Sequence, residues 1–112
     1  MSYIPERCDV IWISLNPRKG REQSGLRPAV VLSPGKYNEK VGLLICCPVT
    51  SQVKEYPFEV KIPDGLPVSG VILADQVKSL DWRKRHAAFI CRLPQKIIHA
   101  AINKLGVLLQ EY

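Results

Sequence analysis

Short stretches of alternating or continuous hydrophobic residues, separated by turn-forming residues, run along most of the chain. Asp9–Ser14 and Ala88–Arg92 are rich in β-branched and aromatic residues, which predicts a strand in each. Residues 58–62 alternate between apolar and polar side chains, as is typical of a half-buried strand. Residues 43–49 are apolar throughout, which predicts a strand buried on both faces.

Two further strands are expected around proline and turn signals. Pro28 has no amide hydrogen to donate, so it suits the first residue of a strand over residues 28–33. Residues 71–80 predict another strand, with a bend near Ala74 and Asp75. The count of predicted strands is therefore five or six, because the shortest of them are marginal.

Helical patterns are confined to two places. Residues 36–40 allow one helical turn. Pro94 opens the only long helical segment, since proline is favoured in the first turn of a helix. Its predicted buried stripe is Ile98, Ile102, Leu105 and Leu109.

Together these elements predict a mainly β fold with helices, ending in a C-terminal helix. Short strands with closely spaced turns close on themselves to remove sheet edges, which favours a strongly curved antiparallel sheet or small barrel. A length of 112 residues, without repeats or a linker, predicts a single domain over residues 1–112. No apolar run approaches the roughly 20 residues of a membrane span. The N-terminal segment is polar and lacks a signal-peptide core, so the cytoplasm is the expected compartment.

Charge and cysteine content narrow the kinds of partner and site. The 16 Lys and Arg residues against 10 Asp and Glu favour a polyanionic partner, either nucleic acid or an acidic protein segment. A solvated basic surface without such a partner remains the alternative. None of the four cysteines forms a CxxC pair, and no His stands at metal-ligand spacing, so no metal is expected. Buried free thiols in a reducing compartment are the predicted state.

The candidate chemistry lies at strand ends, where side chains are rigidly held yet exposed. Arg27 precedes a predicted strand and can point a planar fork of donors at a phosphate or carboxylate. Thr50 follows another strand, and its hydroxyl can donate to an anionic oxygen. Together they can stabilise the extra negative charge of a phosphorane. In the alternative interpretation Arg27 pairs with Glu22 or Asp75, and Thr50 merely ends its strand.

Four segments resemble the MazF/PemK family of toxin endoribonucleases in order and spacing. They are PRKGREQSGLRPAVVLSPGKYN, LLICCPVTS, KEYPFEV and GVILADQVKSLDWR, and the resemblance extends from Ile4 to Ile102. It implies an SH3-like barrel, the fold of CcdB and MazF toxins, assembled as a homodimer. It also implies a toxin of a type II toxin–antitoxin system that cuts single-stranded RNA at short motifs, without metal or cofactor. Attack by the RNA 2′-hydroxyl would leave 2′,3′-cyclic phosphate and 5′-hydroxyl ends and so inhibit translation and growth.

The resemblance assigns catalytic roles to three residues. Arg27 is expected to clamp the scissile phosphate, and Thr50 to donate to a non-bridging oxygen. Glu22 is the weaker candidate for orienting or deprotonating the 2′-hydroxyl. Family members can carry His directly before this Arg, whereas Leu26 stands there in this chain. A mechanism that depends on that His cannot operate here.

A basic, partly aromatic surface is expected to bind the RNA. Tyr56 is a candidate for stacking on an unpaired base, although packing against Pro57 would explain it equally well. The predicted RNA-binding residues are Lys19, Arg21, Gln23, Ser51, Lys54 and Tyr56. A second basic and aromatic patch, Trp82 to Arg85, is interpreted as a surface turn or partner contact.

The implied protein partner is a MazE-like antitoxin whose acidic, disordered tail folds onto the basic groove. Two other functions remain open at this point. One is a CcdB-like toxin that poisons DNA gyrase without catalysis, and the other is a non-catalytic RNA-binding barrel. Cleavage of single-stranded RNA in excess EDTA separates these three functions.

Overall fold

Seven strands and two helices make up the part of the chain that the structure describes, residues 2–15 and 25–110. This computed structural model confirms the mainly β fold with a C-terminal helix, with more strands than the five or six expected. The elements are β1 Asp9–Ser14, β2 Leu26–Val31, α1 Gly35–Val41, β3 Leu43–Thr50, β4 Glu59–Lys61, β5 Val71–Leu73, β6 Lys78–Asp81, β7 Ala88–Arg92 and α2 Gln95–Leu109.

The strands form an antiparallel sheet in which β3 is central. The strand order is β4-β5-β3-β2-β1-β7, and β6 also pairs with β3. Residues 43–46 of β3 pair with β6, whereas Val49 and Thr50 pair with β5. On the side of β3 away from β2, β6 pairs with the first half of the strand and β5 pairs with its end. β5 therefore begins beside Thr50.

Two hydrophobic cores lie on opposite faces of strands β1 to β3. The larger core contains Val30 and Cys47 and is covered by Ile98 and Ala101 of α2. The smaller core comprises Ile11, Ile13, Ala29, Val31, Leu44, Cys46, Leu80 and Trp82. Successive residues of a strand point to opposite faces, so neighbouring residues of these strands enter different cores. The predicted burial of residues 43–49 on both faces is confirmed.

Several strand boundaries differ from those expected from the sequence; β2 ends at Val31, two residues early, and β4 covers only Glu59–Lys61. Residues 71–80 form two strands, β5 and β6, because each pairs with a different part of β3. The turn between them includes Ala74 and Asp75, where a bend was predicted. β2 begins at Leu26 rather than Pro28, since pairing with β1 continues through Pro28 to Leu26.

The predicted stripe of α2 is correct at its beginning and wrong at its end. Ile98 is fully buried, and Ile102 and Leu105 pack against the larger core. Leu109 is 76% exposed, because the last turn of the helix extends past the core. His99 is exposed, as predicted. Neither α2 nor α1 is long and apolar enough to cross a membrane.

The tryptophan of the second basic and aromatic patch lies in the smaller core. Trp82 is 5% exposed, and its Nε1 donates to the backbone oxygen of Asn38 at 2.8 Å. Arg83 and Lys84 are exposed on the turn that follows, and the Arg83 guanidinium lies 4.4 Å from the Trp82 ring centre. The interpretation of the patch as a surface turn is therefore correct for the basic residues and wrong for Trp82, because its indole closes the core beneath α1.

Candidate active site

Strand register brings Arg27 and Thr50 to the same edge of the sheet. β2 and β3 are antiparallel, and Ala29 of β2 pairs with Pro48 of β3. Extended two positions beyond the last observed pair, this register places Arg27 at the level of Thr50. Residues at the same level of neighbouring antiparallel strands share a face of the sheet. Two residues that are 23 positions apart in the sequence therefore lie at the same edge of the sheet.

The guanidinium of Arg27 has no partner among the residues that the structure describes. The residue is exposed, and its side chain forms no hydrogen bond or ion pair within residues 2–15 and 25–110. The alternative in which Arg27 pairs with Asp75 is wrong, because the Asp75 carboxylate accepts from the Tyr56 hydroxyl instead. Glu22, the other partner considered, lies outside the described residues. A free planar fork of donors at a strand end suits binding of a phosphate.

Thr50 presents a hydroxyl whose hydrogen remains free to donate. Its Oγ accepts from the Gln52 backbone N–H at 3.1 Å. Because a hydroxyl carries one donor hydrogen besides its acceptor lone pairs, this bond occupies an acceptor site only. The residue is half-buried as the last of β3, with backbone pairing to Val71 of β5. Thr50 is thus held by its backbone, and its hydroxyl donates to no other residue within 2–15 and 25–110.

The backbone of Thr50 is crowded by Gly70, which predicts a large effect of a single methyl group. Gly70 has φ +111°, and a Cβ there would overlap the Thr50 carbonyl oxygen. We expect Gly70→Ala to lower the free energy of unfolding by about 2–3 kcal/mol, through backbone strain and this overlap. Urea denaturation of the purified protein measures it.

Gly65 supplies the matched control for that substitution. It also has a positive φ, +92°, but a Cβ there would meet nothing within 4 Å. Gly65→Ala therefore carries the backbone strain without the overlap. Equal losses for the two variants would show that the approach of Gly70 to Thr50 contributes nothing to stability.

A cavity of about 310 Å³ opens beside Thr50. It contains two of the predicted RNA-binding residues, Lys54 and Tyr56. The remaining lining residues are Gln52, Glu59, Leu73 and Gln76. Ser51 instead lines a neighbouring cavity of about 580 Å³ on the other side of Tyr56.

The link between β3 and β4 forms an ordered wall of this cavity. The Glu59 carboxylate accepts from the backbone N–H groups of Lys54 at 2.9 Å and Glu55 at 3.0 Å. Lys104 of α2 donates from Nζ to the Pro57 carbonyl oxygen at 2.6 Å. The link is polar in sequence, yet these bonds fix its path.

Tyr56 is held by its hydroxyl as well as by its ring. The hydroxyl donates to Asp75 Oδ2, and the ring contacts Phe58 edge-on with centroids 6.1 Å apart. The hydrogen bond to Asp75 raises the pKa of Tyr56, which keeps the hydroxyl protonated as a donor. Tyr56 is therefore held by Asp75 and Phe58.

The structure does not describe the remaining predicted site residues. Lys19, Arg21, Glu22 and Gln23 lie outside the described residues. Leu26 is exposed, and it points to the opposite face from Arg27 because neighbouring strand residues alternate.

Sequence reasoning missed Gln52, Gln76 and the role of Asp75. The one available signal was Asp75, a carboxylate at the predicted bend directly after a buried apolar segment. Gln52 and Gln76 carry no pattern that separates them from other surface amides. Only the folded chain brings Gln52 and Gln76 to the cavity and Asp75 to Tyr56.

The cysteines provide no reactive thiol at this edge. Burial raises the pKa of Cys46 and Cys47 to about 12, so both thiols stay protonated at neutral pH. Cys8 is buried as well, which confirms the prediction of buried free thiols at these three positions, and Cys91 is half-buried. Within residues 2–15 and 25–110, no three His, Cys, Asp or Glu side chains are grouped to hold a metal ion.

Comparison with known proteins assigns the chain to a family. The family described as PemK-like, MazF-like toxin of type II toxin–antitoxin system matches residues 6–109. The endoribonuclease toxin MazF of Escherichia coli K12 is 55% identical over 106 residues, covering 92% of this chain and 95% of that protein.

Solved structures agree with that assignment. A crystal structure of MazF from Deinococcus radiodurans has a TM-score of 0.88 at 48% identity, covering 96% of this chain and 98% of that one. A MazE-MazF structure from the same organism has a TM-score of 0.87 at 43% identity, covering 99% and 100%. The chain therefore belongs to the PemK/MazF family of endoribonuclease toxins, the toxins of type II toxin–antitoxin systems.

Proposed function

We propose that this chain, as a single domain, cuts single-stranded RNA at short sequence motifs without a metal ion, and so inhibits translation and growth. The observation that carries the proposal is the position of a guanidinium and a hydroxyl at one edge of the sheet, beside a cavity, with neither side chain donating to another residue within 2–15 and 25–110. Arg27 and Thr50 supply the two donors. The relatives that match most of the chain are named endoribonucleases, which supports the same activity.

The reaction needs little from the protein beyond position and charge stabilisation. The RNA 2′-oxygen attacks the adjacent phosphorus, its proton passes to a base, and the bond to the 5′-oxygen breaks as that oxygen takes up a proton. The products are a 2′,3′-cyclic phosphate and a 5′-hydroxyl. Because the nucleophile belongs to the substrate, in-line positioning and stabilisation of the phosphorane account for most of the catalysis.

Each proposed catalytic residue has a role suited to its chemistry. Arg27 clamps the phosphate and assists protonation of the leaving oxygen, since its pKa above about 12 excludes it as a base. Thr50 donates to a non-bridging oxygen of the phosphorane. Glu22 is proposed to orient or deprotonate the 2′-hydroxyl, which leaves Leu26 without a part in the proton transfer.

The RNA path is proposed to run over the link between β3 and β4 and over the loop before β2. Lys54 supplies positive charge, and Tyr56 supplies a face on which an unpaired base stacks. Ser51, in the neighbouring cavity, supplies a hydrogen-bonding group to the backbone. The loop contributes Lys19, Arg21 and Gln23.

The proposed assembly and partner follow from the net charge and from related structures. A formal charge of +6 suits a partner with an acidic tail, and solved relatives include a MazE-MazF structure. We infer a cytoplasmic homodimer that is neutralised by a MazE-like antitoxin. Gyrase poisoning and non-catalytic RNA binding are less well supported, since neither requires the free donors of Arg27 and Thr50.

Cleavage in the presence of a chelator tests the activity. We expect the purified protein in excess EDTA to cut a mixed single-stranded RNA into discrete fragments with cyclic-phosphate 3′ ends. End analysis by mass spectrometry identifies them, and sequencing of the new 5′ ends gives the motif. Loss of cutting on addition of EDTA would contradict the metal-free mechanism, and inhibition of supercoiling without RNA cleavage would favour gyrase poisoning.

A further inference from the structure

The contact between Asp75 and Tyr56 joins two segments that are distant in sequence. Asp75 lies in the turn between β5 and β6, and Tyr56 in the link before β4, 19 residues earlier. The Tyr56 ring lines the cavity beside Thr50, whereas the Asp75 side chain is absent from that lining. Asp75 therefore affects the cavity through its hydrogen bond with Tyr56.

Asp75 is a rigid support because its surroundings are anchored to the core. The preceding Ala74 is fully buried, and its N–H donates to the Phe58 carbonyl oxygen at 3.0 Å. The following Gln76 donates from its N–H to the Leu73 carbonyl oxygen at 3.1 Å. Both peptide neighbours of Asp75 are thereby fixed by backbone bonds.

The carboxylate of Asp75 depends on Tyr56 for its hydrogen bonding. Its Oδ1 is buried without a partner in the part of the chain that the structure describes, and its Oδ2 accepts from the Tyr56 hydroxyl. A buried polar atom without a partner is unfavourable, so the carboxylate cannot easily give up its remaining bond. The bond therefore holds Tyr56 in one orientation.

Tyr56 would lose this orientation without its anchor. The residue is 37% exposed, and an exposed side chain samples several rotamers unless contacts restrict it. A ring that is already fixed in its bound orientation binds more tightly, because less conformational freedom is lost on binding. The flanking Gln52 and Gln76 amides carry donors and acceptors that suit the edge of a base.

We propose that Asp75 is a positioning residue that holds the Tyr56 ring as a fixed stacking wall of the cavity, so that this cavity accepts a base beside the cut bond. The inference rests on the proposed cleavage of single-stranded RNA and deepens it by assigning a base-recognition site. Asp75 does not touch the substrate in this arrangement. Its influence falls on binding of one base and leaves the chemical step unchanged.

A binding assay with single abasic substitutions tests the wall directly. The probe is a short fluorescein-labelled single-stranded RNA in which each position in turn is made abasic, with 2′-deoxy sugars to prevent cutting. For the native protein, we expect one position at which loss of the base raises Kd about 10-fold. In Tyr56→Leu that penalty should vanish, and in Asp75→Ala it should fall to less than about 3-fold.

Conservative and double variants separate positioning from other roles. Asp75→Asn keeps an acceptor oxygen and should retain part of the penalty. Tyr56→Phe keeps the ring but loses the bond, so Tyr56→Phe and Asp75→Ala should have the same effect, and the double variant no more than either. Asp64→Asn, on an exposed turn, is the charge control. Removing a negative charge there should slightly tighten RNA binding, whereas loss of Asp75 should weaken it.

Cleavage measured in parallel distinguishes the ways in which the inference can fail. At saturation, Asp75→Asn and Tyr56→Phe should cut RNA at the native rate. Only their KM for the RNA should rise. A lower rate in Asp75→Asn that Tyr56→Phe does not share would place the carboxylate in the chemistry and overturn the positioning role. If the native protein cuts RNA but the abasic penalty in Kd is the same in every variant at every position, this inference alone is overturned. Native protein that neither binds nor cuts RNA would overturn the proposed function and this inference together.

Discussion

Arg27→Lys is expected to slow RNA cleavage by about 100-fold or more, although the positive charge is kept. Lysine offers a compact ammonium in place of the planar fork, so the two-point contact with the phosphate is lost. Because the side chain of Arg27 is exposed and has no partner among the described residues, the free energy of unfolding should stay within about 0.5 kcal/mol of the native value. Single-turnover cleavage of a defined RNA in EDTA measures the rate, and urea denaturation the stability.

Arg83→Lys serves as the control for that substitution. Arg83 is also exposed, but its guanidinium lies over the Trp82 ring, away from the sheet edge that holds Arg27. It should cut RNA at the native rate. Near-native cleavage by Arg27→Lys would instead show that charge alone suffices and that no bidentate clamp is formed.

Thr50→Val is expected to reduce the cleavage rate by about 100-fold, because it removes the hydroxyl while preserving the shape of the side chain. Thr50→Ser keeps the donor and should stay within about 5-fold of the native rate. The Gln52 N–H that loses its acceptor in the valine variant is exposed, so water replaces the bond at little cost in stability.

The rate at saturating RNA decides between catalysis and binding for Thr50. A hydroxyl that stabilises the phosphorane lowers kcat, whereas one that only holds the substrate raises KM. Ser79→Ala, which removes an exposed hydroxyl from β6, is the control and should leave both constants unchanged. Equal activity of the valine and serine variants would remove Thr50 from the proposed mechanism.

Much of the fold followed from local patterns. The continuous apolar run of residues 43–49 predicted β3 and its burial on both faces. In the structure, one core covers each face of this strand. The helix after Pro94 was equally readable, because proline at the start and a periodic stripe are both local signals. The same reasoning failed at Leu109, since periodicity indicates which face is apolar and not how far the covering sheet extends.

The candidate site was accessible only in part. The sequence itself shows an arginine followed by proline and a threonine at a strand end. The family resemblance then marked both residues as candidates for catalysis. Nothing local distinguished Asp75 as the partner of Tyr56 rather than of Arg27. Trp82 was misplaced for a similar reason: its neighbours Arg83 and Lys84 are basic, yet its own indole is buried against Asn38.

The sequence by itself therefore determined which residues are candidates for the chemistry and which segments are strands or helices. Side-chain type and period are properties of the chain alone. The tertiary structure decided which of these residues come together: the β2–β3 register that brings Arg27 and Thr50 to one edge of the sheet, the approach of Gly70 to Thr50, and the bond from Tyr56 to Asp75. These contacts arise from the pairing of strands that are distant in sequence, because hydrogen bonding between backbones, and not the local pattern, selects each neighbour and its register.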